Sequence, residues 1–185
     1  GPQWLRTALL SQYGLEKSAA ILAAHQVDAP VDFTVKSDPE HWAQTLGGIA
    51  LPNGTVRVAR PDGPIPSLSG FAEGAWWVQD AAASLPAKLL GDIRGKRVLD
   101  LCAAPGGKTA QIAHAGAIVT AVDVSASRLR RLQGNLTRLG LQAATWAGSA
   151  FDFKPDELFD AVLLDAPCSS TGTIRRHPDV AWTKQ

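Results

Sequence analysis

Between Arg97 and Leu164 the chain alternates short apolar runs with amphipathic ones, and this alternation limits the fold more tightly than any other feature. Arg97-Val98-Leu99-Asp100-Leu101 reads as a short buried strand, Ala117 to Val122 as a second, Ala144 to Ala147 as a weaker third and Phe159 to Leu164 as a fourth. Lys108 to Ala115 and Ser125 to Leu139 read as helices between them. In the second helix Leu129, Leu132, Leu136 and Leu139 line one face. Arg128, Arg130, Arg131 and Arg138 fall mostly outside that stripe, as a wet face, and Gly140 is a natural stop. Near-continuous apolar strands separated by helices imply a parallel sheet covered on both faces. The expected class is α/β, with a Rossmann-like sheet.

The N-terminal part follows another pattern. Trp4 to His25 has helical spacing, broken at Tyr13-Gly14. Val31 to Val35 alternates like a strand, Ser37-Asp38-Pro39 starts a helix that Gly47-Gly48 closes, and Thr55 to Ala59 is another short strand. Arg60 to Gly70, with three prolines and two glycines, reads as a linker. This divides the chain into a small α/β subdomain over 1–70 and a larger domain over 71–185. The whole chain has 185 residues, 45% of them apolar, and a net charge of +1. That charge is too small for a whole-protein field, so a nucleic-acid surface would have to be a local patch. Two cysteines, Cys102 and Cys168, make no disulfide framework and point to a reducing cytoplasm. No run approaches the roughly 18 apolar residues of a membrane helix, and no signal pattern opens the chain. No residue cluster suggests a metal. The absence of any Met and the Gly1-Pro2 start suggest a piece of something longer.

In open parallel sheets, ligands bind beyond the carboxyl ends of the strands. Polar residues gather there: Asp100 and Cys102 after the first strand of the series, Asp123 after the second, Asp165 after the fourth. The turn Cys102-Ala103-Ala104-Pro105-Gly106-Gly107-Lys108-Thr109 has small residues that allow close backbone approach, followed by a helix start with free N–H groups. It ends like a phosphate-binding loop, but the first glycine of GxxxxGK[ST] is replaced by Cys102, and GxGxxG is absent. A nucleoside with a zwitterionic methionine tail suits it better. Asp123 is placed to hold two ribose hydroxyls; the alternative is that it caps the helix beginning near Ser125.

Leu99 to Thr109, LDLCAAPGGKT, and Leu163 to Trp182, LLDAPCSSTGTIRRHPDVAW, resemble the RNA cytosine-5 methyltransferases of the Sun/Fmu type, and the second string is most similar to the RsmB-type enzymes that modify 16S ribosomal RNA. The resemblance runs from about Trp4 to the end and is specific in these two blocks. It implies S-adenosylmethionine as cofactor, bound by Cys102, Ala103, Ala104, Pro105, Gly106, Gly107, Lys108 and Asp123, with Gln79 and Asp80 near the methionine end. It also implies that the N-terminal subdomain over 1–70 is the family's small RNA-binding lobe, and that the sheet lacks its last strands here. Where the family carries a Gly-Asp pair on the adenine side, this chain has Gly148-Ser149, leaving Ser149 one hydrogen bond to offer. Asp165 would border the cofactor too.

The implied chemistry follows from carbon 5 of cytosine being a weak nucleophile. A thiolate adds to carbon 6, carbon 5 takes the methyl group, a base removes its proton and the thiolate leaves. Asp165 would hydrogen-bond or protonate ring nitrogen 3. In this family a second cysteine attacks and the Pro-Cys cysteine assists product release, so Cys168 is assigned to release, with attack as its alternative role. No cysteine follows Cys168, so the nucleophile is expected beyond Gln185. These residues alone are then expected to bind cofactor weakly and not to methylate RNA. Cys102 is expected only to line the pocket.

Arg175, Arg176 and His177 follow the catalytic segment directly and are expected to touch RNA phosphates. Trp76-Trp77 could stack on a flipped-out base, although burial of at least one is favoured. The expected partner is 16S ribosomal RNA, for a protein that is monomeric at full length. Alternatives are a transfer RNA methyltransferase, a non-catalytic RNA-binding fragment and an enzyme acting on a nucleotide phosphate.

Overall fold

The structure, a computed structural model, describes residues 1–183. The chain forms two compact units, one of Gly1–Ala29 with the segment from Pro167 onward, the other Pro30–Ala166.

In the first unit, helix α1 (Gln3–Ala24) is interrupted at Gly14, whose φ of 72° and ψ of 177° break the helical run at the expected place. A 3₁₀ turn (Thr171–Thr173) precedes helix α6 (Val180–Thr183). Leu5, Ile174 and Ala181 form the core of this unit, and the Trp4 indole N–H donates to the Ala181 carbonyl at 2.9 Å.

The second unit holds two sheets. The antiparallel one runs β2-β3-β1-β4, from β1 (Val31–Val35), β2 (Ile49–Ala50), β3 (Thr55–Val58) and β4 (Trp76–Val78). Helix α2 (Pro39–Leu46) crosses between β1 and β2, with Asp38 accepting from the His41 N–H and Gly47 at its left-handed end, as the sequence implies. The parallel sheet runs β7-β6-β5-β8, from β5 (Arg97–Leu101), β6 (Ile118–Asp123), β7 (Ala144–Ala147) and β8 (Ala161–Leu164). Helices α3 (Leu85–Lys88), α4 (Gly107–His114) and α5 (Ala126–Arg138) complete the unit. Steps from β5 to β6 to β7 move one strand at a time in one direction, so right-handed crossovers put α4 and α5 on one face. On that face Leu129, Leu132 and Leu136 of α5 pack with Ala110 and Ala121. On the opposite face Val162 and Leu164 of β8 stay exposed.

Strand β4 was not expected, and it changes the organisation. Its register with β1 places Trp76 opposite Val35 and Trp77 opposite Thr34. Successive side chains of a strand point to opposite faces. Trp76 therefore enters the antiparallel sheet's core, with Phe33 and Val56, while Trp77 enters the core containing Leu132 and Ala103. Both indoles are buried, so neither is open to stack on a base. The sequence division at Gly70 thus falls just before a strand that joins the N-terminal sheet. The expected linker carries a 3₁₀ turn, Ile65–Ser67, and packs Ile65 and Leu68 against that sheet's core.

Two arginines expected on the wet face of α5 are structural instead. Arg138 donates to the carbonyls of Phe71 (2.7 Å) and Trp76 (3.1 Å) and lies 4.1 Å from the centre of the Phe71 ring. Arg128 bonds the Ala104 carbonyl and lies 3.6 Å from Asp123. Among the described residues no helix is long and apolar enough to cross a membrane.

Candidate active site

Beyond the carboxyl ends of β5 and β8 lies a cleft of about 440 Å³. Cys102, Ala103, Ala104, Pro105, Gly107 and Lys108 line it, with Asp100, Gln79 and Asp165. The loop leaves β5 through Cys102, which takes a left-handed φ of 58°, and enters α4 through Gly106 at φ 101°. At Gly106 a β-carbon would lie 2.6 Å from Leu132 Cγ, so both the conformation and the packing on α5 require glycine. Gly106 has no side chain to cap α4. The first amides of the helix are left for a ligand, and the helix dipole favours an anion there.

Three consecutive residues tie this helix start to three elements. Trp77 Nε1 on β4 donates to the Gly107 carbonyl at 3.1 Å. Lys108 Nζ donates to Asp165 Oδ2 at 2.7 Å. Thr109 Oγ1 donates to Asp100 Oδ2 at 2.6 Å. Lys108 is therefore more than a loop residue: its ammonium sits on the carboxylate expected to touch the base. Asp100 is buried, and burial pushes its carboxyl up to about 6, against the opposing Thr109 hydrogen bond and the Lys108 charge.

Asp123 lies beneath the loop instead of lining the cleft. Its Oδ1 accepts the Ser125 N–H at 2.9 Å and its Oδ2 the Ala104 N–H at 3.1 Å. Its carboxylate thus braces the loop, while Ser125 caps α5 by accepting from the Arg128 N–H. Ser149 does not line the cleft either; its hydroxyl accepts the Phe151 N–H at 3.3 Å. Gln79 does line it, but its amide is engaged by protein partners on both atoms, and Asp80 caps the turn before α3 by accepting from Ala82 and Ala83.

Cys168, Arg175, Arg176 and His177 belong to the first unit. The Cys168 thiol is exposed, with the Ser170 N–H 3.3 Å from its sulfur. Arg175 donates to the carbonyls of Val27 (3.0 Å) and Asp28 (2.7 Å), which commits part of its guanidinium. His177 is exposed.

The family model described as 16S rRNA methyltransferase RsmB/F matches residues 87–185. The chain belongs to this family. Among RsmB/F relatives, the ribosomal RNA small subunit methyltransferase B of Citrobacter koseri is 39% identical across 100% of this chain, which covers 46% of that protein. The protein of the same name from Klebsiella pneumoniae strain 342 is 48% identical over 70% of this chain and 31% of its own length. The chain thus spans about half the length, or less, of the curated relatives it matches. A methyltransferase homolog protein from Pyrococcus horikoshii superposes with a TM-score of 0.72 at 26% identity, over 95% of this chain and 67% of that one.

An RsmB/F methyltransferase implies S-adenosylmethionine, and the residues fit its amino-acid half. The uncapped start of α4 suits the carboxylate. Asp100 and Asp165, both lining the cleft, suit the ammonium. The sequence places Asp100 near a strand end and gives it no role; its pairing with Thr109, nine positions on, shows only in the fold.

Proposed function

We propose that this protein methylates carbon 5 of a cytosine in 16S ribosomal RNA by way of a covalent cysteine adduct. One observation carries the reading: the Asp165 carboxylate of the DAPCS segment is held 2.7 Å from the Lys108 ammonium at the cofactor loop. A group placed there can serve the base and border the cofactor at once. When bound, S-adenosylmethionine supplies an activated methyl group.

The chain's own residues bind and orient. The amides that open α4 take the carboxylate, and Asp100 and Asp165 face the ammonium. Asp123 is assigned to the ribose hydroxyls: its two oxygens accept one backbone N–H each and keep further lone pairs. Ser149 gives a single hydrogen bond on the adenine side. Asp165 hydrogen-bonds or protonates nitrogen 3, relieving the negative charge that thiolate addition to carbon 6 creates. Cys168 assists product release, and neither of the two cysteines is assigned the attack. Arg176 and His177 contact RNA phosphates, with Arg175 adding charge beside them. The 185 residues alone then bind cofactor weakly and do not turn over. A protein that is monomeric at full length and acts on cytoplasmic ribosomal RNA, without a metal, completes the proposal.

Deleting the gene in its source organism should remove 5-methylcytosine from 16S ribosomal RNA on bisulfite sequencing, and Asp165→Asn should fail to restore it. Loss from a transfer RNA instead, with 16S unchanged, would move the assignment to that substrate. Robust methylation by these 185 residues would overturn the role given to Cys168.

A further inference from the structure

The antiparallel sheet reaches the cofactor loop through one hydrogen-bond network. Trp77 Nε1 donates both to the Gly107 carbonyl (3.1 Å) and to Gln79 Oε1 (3.0 Å). That same oxygen accepts the Thr34 hydroxyl of β1 at 2.8 Å. Gln79 Nε2 donates to Gln111 Oε1 of α4 at 2.9 Å, and Gln111 Nε2 passes on to the Ser84 carbonyl, also at 2.9 Å. Trp77 is 2% exposed and Gln79 7%, so these bonds form away from solvent, where leaving one partner unmatched is costly.

The bond to Gly107 has a directional consequence. A trans peptide is planar, with the carbonyl of one residue and the N–H of the next on opposite sides. Holding the Gly107 carbonyl toward Trp77 therefore fixes the direction of the Lys108 N–H, one of the open amides at the start of α4. Gln79 packs beneath the same residue: a β-carbon on Gly107 would lie 3.5 Å from Gln79 Cδ.

We propose that Trp77 and Gln79 are positioning residues for the amino-acid end of the cofactor, so that strand β4 of the antiparallel sheet sets the carboxylate-binding amides of α4. The inference rests on the cofactor reading above for its ligand, but its local consequence is independent of any ligand.

The test uses Trp77→Phe and Gln79→Leu in the chain as it stands, with unfolding midpoints measured first to verify that both fold. Calorimetry then compares S-adenosylhomocysteine, which carries the amino-acid tail, with 5′-methylthioadenosine, which lacks it. Each variant should bind the first about five- to tenfold more weakly, the scale of one lost hydrogen bond, and the second within about twofold of the unaltered chain. The double variant should lose little beyond either single one, because both act through one network. A purely structural role would weaken both ligands alike, and that outcome overturns the proposal.

Hydrogen exchange without ligand supplies the second measurement. The Ala110 amide, which donates to the Gly106 carbonyl at 2.9 Å, should exchange several-fold faster in Trp77→Phe. Unchanged exchange there overturns the positioning role whatever the ligands do. If the unaltered chain binds neither ligand while exchange responds, the cofactor reading fails and the positioning of the helix start stands.

Discussion

Asp100, next to the last residue of β5, has 1% of its surface exposed, and its carboxylate accepts the Thr109 hydroxyl. Burial dominates its titration and raises it to about 6; the Thr109 bond and Lys108 pull it down, and the charges of Asp165 and Asp123 push it up further. The folded state then holds this proton more tightly than the unfolded chain, where an aspartate titrates near 4. Stability contributed by Asp100 is full below about pH 4, falls as pH rises toward about 6, and is level above. The shift corresponds to roughly 3 kcal/mol. Urea unfolding of the unaltered chain minus that of Asp100→Asn should show this decline between pH 4 and 6; a flat difference would mean that Asp100 is not buried as a carboxylate. The same proton bears on binding. Below about pH 6 the cofactor ammonium loses one of its two carboxylates, so the affinity for S-adenosylhomocysteine should fall there, and in Asp100→Asn it should be weak at every pH. Gly106 makes a separate case. Gly106→Ala meets both its φ of 101° and Leu132 Cγ, and should lower stability by about 1–3 kcal/mol while weakening binding at the uncapped helix start.

At the scale of elements, the last turn of α5 is the fastening point of the antiparallel sheet. Arg138 spans from Asn135 Oδ1 (2.7 Å) to the carbonyls of Phe71 and Trp76, and the Lys36 ammonium of the opposing lobe reaches the Leu139 carbonyl at the same helix end. Gly74, at φ 65°, lets the chain pass against the Arg138 carbonyl. Arg138→Met keeps much of the packing on Phe71, and the Phe71 carbonyl keeps the Gly74 N–H, but the Trp76 carbonyl loses its Arg138 donors; the change should cost about 1–3 kcal/mol by chemical denaturation. A loss below about 0.5 kcal/mol would return Arg138 to the solvated face assigned by helical periodicity. That periodicity explains what was legible. The four parallel strands, α4, α5 and α2 are local patterns, and local patterns are what residue spacing records. Strand β4 has three residues, too few to show alternation, and pairs with β1 across the intervening helix and two strands. The site divides in the same way. The glycine loop and Asp165 stand at strand ends and could be read directly. The contact between Lys108 and Asp165 bridges 57 positions and left no trace in either segment. Asp123 stands at the end of β6, where the apolar run of the sequence stops, but its engagement with the Ala104 amide depends on how the loop folds back.

For the molecule as a whole, β8 leaves a strip of apolar surface. Among the described strands it pairs only with β5, so its other backbone edge carries no strand partner. Pairing of Leu101 with Leu164 and of Arg97 with Ile118 sets Val162, Leu164 and Ile118 on one face, at 53%, 61% and 61% exposure. Open edges and contiguous exposed apolar residues both favour association between chains. These 185 residues should therefore self-associate with rising concentration in sedimentation velocity, and bind the dye ANS more strongly than a protein with a covered sheet. Replacing Val162 and Leu164 together by Lys should suppress both signals without lowering the unfolding midpoint by more than a degree or two, because neither side chain is in the core. Leu163, between them, points the other way, into the cluster with Val98, Ile112 and Val119. Leu163→Lys should instead unfold the sheet, since it buries an unpaired charge. If the paired substitution lowers stability as much as Leu163→Lys does, the two faces of β8 are equally buried, and the association must arise from another surface.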